Sequence, residues 1–174
     1  MLNCINLSRL RNPCPCGYYG HPTRSCICNH NAVTRYVSKV SGPLLDRIDI
    51  HIEVPPVEFS DLTSNELEES SAEIKKRVNE ARLIQQERYK GTGVKCNSGL
   101  NAAMLNKCCP MDDKAQALLG KAFEKMGLSA RAYDRILKVS RTIADLDKSE
   151  VIKSRHIAEA VQYRNLDRKY WGNR

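Results

Sequence analysis

Aromatic residues are scarce in this 174-residue chain: they make up 6% of the composition, against 28% charged and 41% hydrophobic residues. This profile is typical of a helical protein with a modest core. The sequence has no run of 18 or more apolar residues, so it predicts no membrane span. The segment from Met1 to Arg11 lacks the apolar block of a secretion signal. We therefore expect a cytoplasmic, reducing location.

A phosphate-binding loop is also missing, because the sequence has no Gly-x-x-x-x-Gly-Lys-Ser/Thr segment. Its single Gly-Lys pair, Gly120-Lys121, precedes Ala122 inside a predicted amphipathic helix. In nucleotide-hydrolysing proteins with such a loop, the carboxylate that binds magnesium usually follows an apolar strand. The acidic pair Asp112-Asp113 does not follow one, so it is not that carboxylate. We therefore expect the chain by itself neither to bind ATP tightly nor to hydrolyse it.

Negative charge is the minority sign, with 20 acidic against 28 basic residues and a formal net charge of +8. The excess lies at the two ends: six basic residues against one acidic between Met1 and Arg47, and eleven against six between Arg131 and Arg174. Charge alone fits ordinary solubility as well as it fits an anionic partner such as phosphate or nucleic acid.

Cysteine, by contrast, is abundant, and four of the eight cysteines are paired as Cys-x-Cys. The pairs are Cys14/Cys16 and Cys26/Cys28, on either side of a loop over 17–25 that is rich in Gly, Pro, Tyr and His. Zn²⁺ prefers four soft ligands in a tetrahedron, and a reducing compartment disfavours disulfides. The spacing predicts a zinc site, and four thiolates leave no position for a reactive water, so its role is structural.

His21 and His30 are reserve ligands for this metal. The alternative is that the four cysteines are free thiols in a mobile loop. The remaining cysteines lack paired spacing, and we expect them to be buried thiols: Cys4, Cys96, Cys108 and Cys109.

The hydrophobic pattern predicts a mainly α fold in three zones. Residues 1–56 carry the cysteines and end in one or two strands, including Ile48–Val54, before Pro55-Pro56. Residues 57–65 are a predicted linker, and residues 66–171 a four-helix bundle. The first predicted helix is Glu66–Tyr89, with an inward face of Leu67, Ile74, Val78 and Ala81. The second extends from the Asp112 cap to Gly127, the third is Ala130–Leu146 after the Ser129 cap, and the fourth is capped by Ser154. A short turn is also predicted over Asn101–Lys107.

Two arginines are candidates for phosphate binding. Arg47 stands beside two carboxylates where the predicted strand begins, and Arg131 lies in the first turn after Ser129. A helix N-terminus carries partial positive charge, so Arg131 would add to an anion site. It also shares one helix face with Arg135 and Lys138. The simpler interpretation is that Arg47 is an ion-paired surface residue and that the basic face is solvated.

Four ordered motifs carry a family resemblance: Asn12-Pro-Cys-Pro-Cys-Gly-Tyr-Tyr-Gly-His, Ser41-Gly-Pro-Leu-Leu-Asp-Arg-Ile-Asp-Ile, Leu128-Ser-Ala-Arg-Ala-Tyr-Asp-Arg-Ile-Leu and His156-Ile-Ala-Glu-Ala-Val-Gln-Tyr-Arg. From about Asn12 to Trp171 the chain resembles the C-terminal part of magnesium-chelatase-like AAA+ ATPases, in the YifB/ComM competence-protein branch. The resemblance implies the end of an AAA+ α/β core followed by a four-helix lid.

The resemblance also implies roles for single residues. Asn12 matches the sensor 1 asparagine that orients the attacking water. Arg47 matches the arginine finger that reaches a neighbouring subunit's nucleotide, and Arg131 matches the sensor 2 arginine of the lid. The cysteine segment matches an insertion of this branch.

For the intact parent protein, the resemblance implies a homo-hexameric ring that uses ATP and Mg²⁺ to drive DNA branch migration during natural transformation. The present chain would be its C-terminal fragment. Two alternatives remain open. One is a stand-alone zinc-containing module that binds DNA or protein. The other is a chelatase subunit that assists Mg²⁺ insertion into porphyrin.

Overall fold

The computed structural model describes residues 11–45, 47–57, 63 and 68–164. Several predictions concern residues outside these ranges. They include the thiol of Cys4, the first residues of the helix predicted from Glu66, most of the linker over 57–65, and the end of the predicted bundle beyond residue 164.

The described residues are mainly helical, which confirms the predicted class. In chain order the helices are α1 (His30–Val37), α2 (Gly42–Leu45), α3 (Ser71–Arg88), a 3-10 turn (Asn97–Gly99), α4 (Ala102–Cys108), α5 (Asp113–Met126), α6 (Ala130–Leu146) and α7 (Ser154–Gln162). Two regions recur below: the cysteine region, residues 11–45, and the helical bundle, residues 68–164. Across the described ranges, no helix has both the length and the apolar character that crossing a membrane requires.

The strand predicted over Ile48–Val54 is not formed, and the described ranges contain no β-sheet. The segment is extended, but the alternating pattern that predicted a strand needs a neighbouring strand to complete a ladder. It docks instead on the bundle by separate contacts. The backbone N–H of His51 donates to the carbonyl of Tyr163 at 2.8 Å, and the guanidinium of Arg164 donates to the carbonyl of Ile48 at 3.0 Å.

Helix ends in the bundle follow from local side-chain chemistry. The carboxylate of Asp112 accepts from the backbone N–H of Ala115 at 2.7 Å and starts α5. Gly127 ends α5 in a left-handed conformation with φ 59°, which favours glycine. The hydroxyl of Ser129 then caps α6. The prediction for Ser154 was wrong by one residue, because Ser154 is the first helical residue of α7 and follows the capping position.

α3 differs most from its prediction. It begins at Ser71, where Ser70 and Glu73 form a reciprocal capping box through each other's backbone N–H groups. Of the predicted inward face, Ala81 is buried, but Ile74 and Val78 are 41% and 44% exposed. Only the C-terminal half of α3 therefore packs against the bundle, on α6.

The core of the bundle is centred on α6, which contacts α3, α4 and α7, while α5 packs on α7. Two loops are joined by a single parallel bridge between Met111 and Ile152. The buried apolar side chains form one cluster: Tyr89, Leu100, Leu105, Cys109, Ala115, Leu119, Ile136, Leu137, Ala144, Ile152, Ile157 and Ala160. Burial of these side chains is the main stabilising term for the bundle.

Candidate functional site

The four predicted zinc ligands come together. The sulfur atoms of Cys14, Cys16, Cys26 and Cys28 all lie within 4.8 Å of one another. Individual separations are 3.3 Å for Cys14–Cys16, 3.7 Å for Cys14–Cys26 and 3.5 Å for Cys16–Cys26. A tetrahedral Zn²⁺ with ~2.3 Å bonds to sulfur places its ligands about 3.8 Å apart. The cluster therefore has the size of a zinc thiolate site.

Backbone geometry around the first pair explains how the thiols converge. The chain reverses after Cys14, where the N–H of Gly17 donates to the Cys14 carbonyl at 3.1 Å, and Gly17 has φ 86°. A second turn follows, with Gly20 at φ 78°. Both values lie in the left-handed region that glycine adopts without strain. The two turns fold the loop over 17–25 back so that Cys26 and Cys28 meet the first pair.

The electrostatics of the cluster call for a cation. The backbone N–H of Tyr18 lowers the pKa of the Cys16 thiol to about 6. At Cys26 the backbone N–H of Cys28 also lowers the pKa, but burial and hydrogen bonds to neighbouring thiols outweigh it and raise the pKa to about 12. Sulfurs this close cannot all be thiolates unless positive charge compensates them. A divalent metal supplies that charge, so the donor set fits zinc.

The cysteines also form the core of their own region. Cys14 is completely buried and packs with Val33 and Val37 of α1, beside the other three cysteines. Asn29 starts α1 directly after Cys28 by accepting from the backbone N–H of Ala32 at 2.8 Å. The cysteine cluster and the short helix α1 therefore share one small core.

The reserve ligands are not part of this site, since among described residues only the four cysteines form a metal-sized group. The Nδ1 atom of His21 instead accepts backbone N–H groups from Thr23 and Arg24, at 3.2 and 3.1 Å. The other described cysteines are free thiols. Cys109 is buried in the bundle as predicted, and Cys96 and Cys108 are half-buried.

The predicted basic face of α6 divides into three different environments. Arg135 pairs with Asp49 of the docked extended segment, and Lys138 donates to the carbonyl of Ser98 at 3.2 Å. Arg131 is exposed in the first turn of the helix, and no side-chain partner is found for it within the described ranges. Of the three, Arg131 is thus the cation that stays available to a ligand.

Arg47 and Asn12 are also exposed. The backbone N–H of Arg47 donates to the carbonyl of Leu44 at 3.0 Å, in a turn that follows α2. Its guanidinium has no ion pair within the part of the chain that the structure describes. The side chain of Asn12 lies beside Gly17, at the edge of the cysteine cluster. The carboxylate of Asp46, next to Arg47 in the sequence, lies outside the described residues, so the interpretation of Arg47 as an ion-paired residue stays an alternative.

Comparison with known proteins identifies the family. The magnesium chelatase, subunit ChlI C-terminal family matches residues 68–164, more than half of the chain. The chain belongs to this family. The magnesium chelatase, subunit ChlI family also matches residues 5–62. The ChlI C-terminal match covers the bundle, and the second match covers the cysteine region and the docked segment.

Individual relatives agree with this assignment. The chain is 42% identical over 159 residues to competence protein ComM of Haemophilus influenzae, and 38% identical over 159 residues to the uncharacterized protein YifB of Escherichia coli. An uncharacterized protein of Mycobacterium tuberculosis is 29% identical over 153 residues. The first two alignments cover 90% of this chain and 30% of the relative. The chain thus spans about a third of the length of these proteins.

Inside the ChlI C-terminal bundle, sequence reasoning missed a buried polar network around Asp145. The Asp145 carboxylate accepts from Arg88 at 2.9 Å, from Arg141 at 3.0 Å and from the side-chain amide of Asn97 at 2.9 Å. Arg141 is fully buried and also donates to the carbonyls of Ser149 and Glu150. A signal was present, because Arg141 and Asp145 are four residues apart and in phase with the apolar stripe of α6.

The network links α3, the 3-10 turn, α6 and the loop before α7. The hydrogen bond to Asp145 raises the pKa of Arg88 above its ordinary value. Burial raises the pKa of Tyr89 to about 12, and its hydroxyl donates to the side-chain oxygen of Asn97. The guanidinium of Arg88 therefore stays charged and the phenol of Tyr89 stays neutral at physiological pH. This network holds α3 in place behind the helix that carries Arg131.

Proposed function

We propose that this chain supplies a lid and phosphate-contacting arginines to an ATP-hydrolysing ring. The observation that carries the proposal is the environment of Arg131. It lies in the first turn of α6, is exposed, and has no partner among the described residues, whereas Arg135 and Lys138 on the same face are engaged. A planar guanidinium at a helix N-terminus is well suited to bind phosphate oxygens.

In this proposal Arg131 is the sensor 2 arginine. It binds the nucleotide held by the same subunit and stabilises charge that develops during phosphoryl transfer. Arg47 is the arginine finger, and it serves the nucleotide of the neighbouring subunit in a homo-hexamer. Asn12 orients the attacking water. ATP and Mg²⁺ bind mainly to parts of the parent protein that these 174 residues do not contain.

The parent would use this cycle to move along DNA, as an ATP-driven branch-migration motor. Its support is membership of the ChlI family, the similarity to a competence protein, and the excess of basic residues. The cytoplasm is the compartment proposed for it. The Cys14–Cys28 cluster holds a structural zinc ion, which fixes the fold of the cysteine region and takes no part in phosphoryl transfer.

A second candidate is a stand-alone zinc-containing module that binds DNA or protein. The convergence of four thiols in a region with its own small core supports it. The two candidates make different predictions about nucleotide, since a simple binding module has no reason to bind phosphate at Arg131.

Titration of the isotope-labelled chain with MgATP, followed by amide NMR, separates these candidates. We expect weak binding, with the largest shift changes in the first turn of α6, around Ala130–Tyr133. Arg131→Ala should abolish them, whereas Lys114→Ala, which removes another exposed cation near a helix N-terminus, should leave them unchanged. Shifts that spread over all basic residues, or that persist in Arg131→Ala, would contradict the assignment.

A separate assay tests whether the catalytic machinery is incomplete. We expect no ATP turnover above background by the purified chain, because no phosphate-binding loop is present. Steady turnover that Arg47→Ala abolishes would show that the chain contains a complete site of its own.

A further inference from the structure

The cysteine region has charge of one sign only. Residues 1–45 contain no Asp or Glu, although acidic residues number 20 in the whole chain. The described part contributes Arg11, Arg24, Arg35 and Lys39. A zinc ion with four thiolates carries a net charge of −2, half-buried behind α1, so the region stays net positive. A polyanion would meet no repelling carboxylate here.

The loop over 17–25 lies at the surface of this region, and local contacts set its path. Both of its ends are fixed by thiol pairs, and two turns with Gly17 and Gly20 at positive φ set its path. His21 strengthens the second turn, because its Nδ1 atom accepts the backbone N–H groups of Thr23 and Arg24. A loop whose path is already set loses little conformational entropy when it binds a ligand.

Aromatic and cationic side chains are combined on this loop. The guanidinium of Arg24 lies 5.3 Å from the centre of the Tyr18 ring and donates to the Tyr18 hydroxyl at 2.8 Å. His21 packs edge-on against the same ring, with the two centroids 5.7 Å apart. Arg24 has further N–H groups and no ion pair within the described residues. Tyr19, the residue that follows Tyr18 in the chain, is 47% exposed.

We propose that this loop is a contact surface for single-stranded nucleic acid. An exposed tyrosine ring offers a stacking platform to an unpaired base, and a guanidinium on the same short loop can bind a phosphate of the same strand. Tyr19 provides the platform, and Arg24, positioned by Tyr18, provides the phosphate contact. Bases in a duplex are already stacked, which favours a single strand as the partner. The inference deepens the proposed DNA motor by naming its contact surface, and it rests on that proposal for its biological role.

Fluorescence anisotropy with a labelled oligothymidylate tests the surface on the zinc-loaded chain without nucleotide. We expect Tyr19→Ala to weaken binding about tenfold, and Tyr19→Phe, which keeps the aromatic face, to bind like the original chain. Arg24→Ala should weaken binding and reduce the dependence of log affinity on log salt by roughly 0.7, the value for one phosphate contact on a single strand. Lys114→Ala, outside the loop, is the matched control and should change affinity less than Arg24→Ala.

The experiment distinguishes failure of the loop assignment from failure of the proposed DNA partner. Zinc content of each variant must equal that of the original chain, so that lost binding reports on the surface. If the chain binds oligothymidylate but Tyr19→Ala and Arg24→Ala bind equally well, the loop assignment is wrong and the DNA partner survives. If nothing binds at ~50 mM salt, both the surface and the DNA partner are wrong, and a protein partner becomes the better account. The MgATP titration at Arg131 is independent of either result.

Discussion

The cysteine region and the helical bundle differ in the size and composition of the core that stabilises them. In the bundle, twelve buried apolar residues from α3 through α7 form one core, and a buried polar network links its helices. In the cysteine region the core cluster consists of Cys14, Val33 and Val37, with three more cysteines packed against it. So few apolar side chains cannot offset the entropy of ordering such a segment. The comparison indicates that apolar burial stabilises the bundle, and it favours the proposed zinc ion as the stabilising element of the cysteine region.

The largest expected effect comes from removing the metal. A strong chelator should unfold residues 11–45 and leave the bundle folded, because structural zinc contributes about 10–16 kcal/mol in small domains. In amide NMR spectra, the signals of Val33 and Val37 should move to random-coil positions, while those of Ile136 and Leu137 keep their positions. Loss of both sets together would contradict the separation of the two regions.

The next largest effect is expected inside the bundle. Asp145→Ala leaves the buried guanidinium of Arg141 without its carboxylate, and breaking a buried pair in this way costs about 3–5 kcal/mol. Urea denaturation measures the change. Asp113→Ala, which removes an exposed carboxylate from the first turn of α5, is the control and should cost less than about 1 kcal/mol. Equal losses in the free energy of unfolding for the two variants would show that the buried network stabilises the bundle no more than an exposed carboxylate does.

The smallest effect concerns the half of α3 that stands away from the bundle. Because Ile74 is 41% exposed, Ile74→Ala should change the free energy of unfolding by no more than about 0.5 kcal/mol. Ile157→Ala, in the centre of the core, should cost about 2–5 kcal/mol. A cost at Ile74 close to that at Ile157 would favour the inward face expected from periodicity alone.

The two halves of α3 show what the hydrophobic periodicity of the sequence could and could not predict. The bounds of α6 and the caps at Asp112, Gly127 and Ser129 were predictable, because each depends on side chains within a few residues. The exposure of Ile74 was not predictable, since an apolar stripe indicates the inward face of a helix but not how far along the helix its partner extends. For the same reason the alternation over Ile48–Val54 predicted a strand without a partner to pair with.

In the candidate site, too, features that depend on local sequence were predictable and features that depend on distant contacts were not. The convergence of the four cysteines was predictable because Cys14 to Cys28 spans only fifteen residues, so the thiols can meet through local turns. The loop of Tyr18, Tyr19 and Arg24 needed three-dimensional contacts before its ring stacking was visible. The Asp145 network joins residues up to 57 positions apart, which no local pattern encodes.

Metal content tests the central claim most directly. The chain purified without added zinc should show one zinc per molecule by native mass spectrometry and elemental analysis, and Cys26→Ser should lose it. Cys96→Ser, a half-buried thiol outside the cluster, should retain one zinc. A chain that is metal-free, fully titratable at its cysteines and still folded over residues 11–45 would contradict the account, because that region would then be stable without the ion.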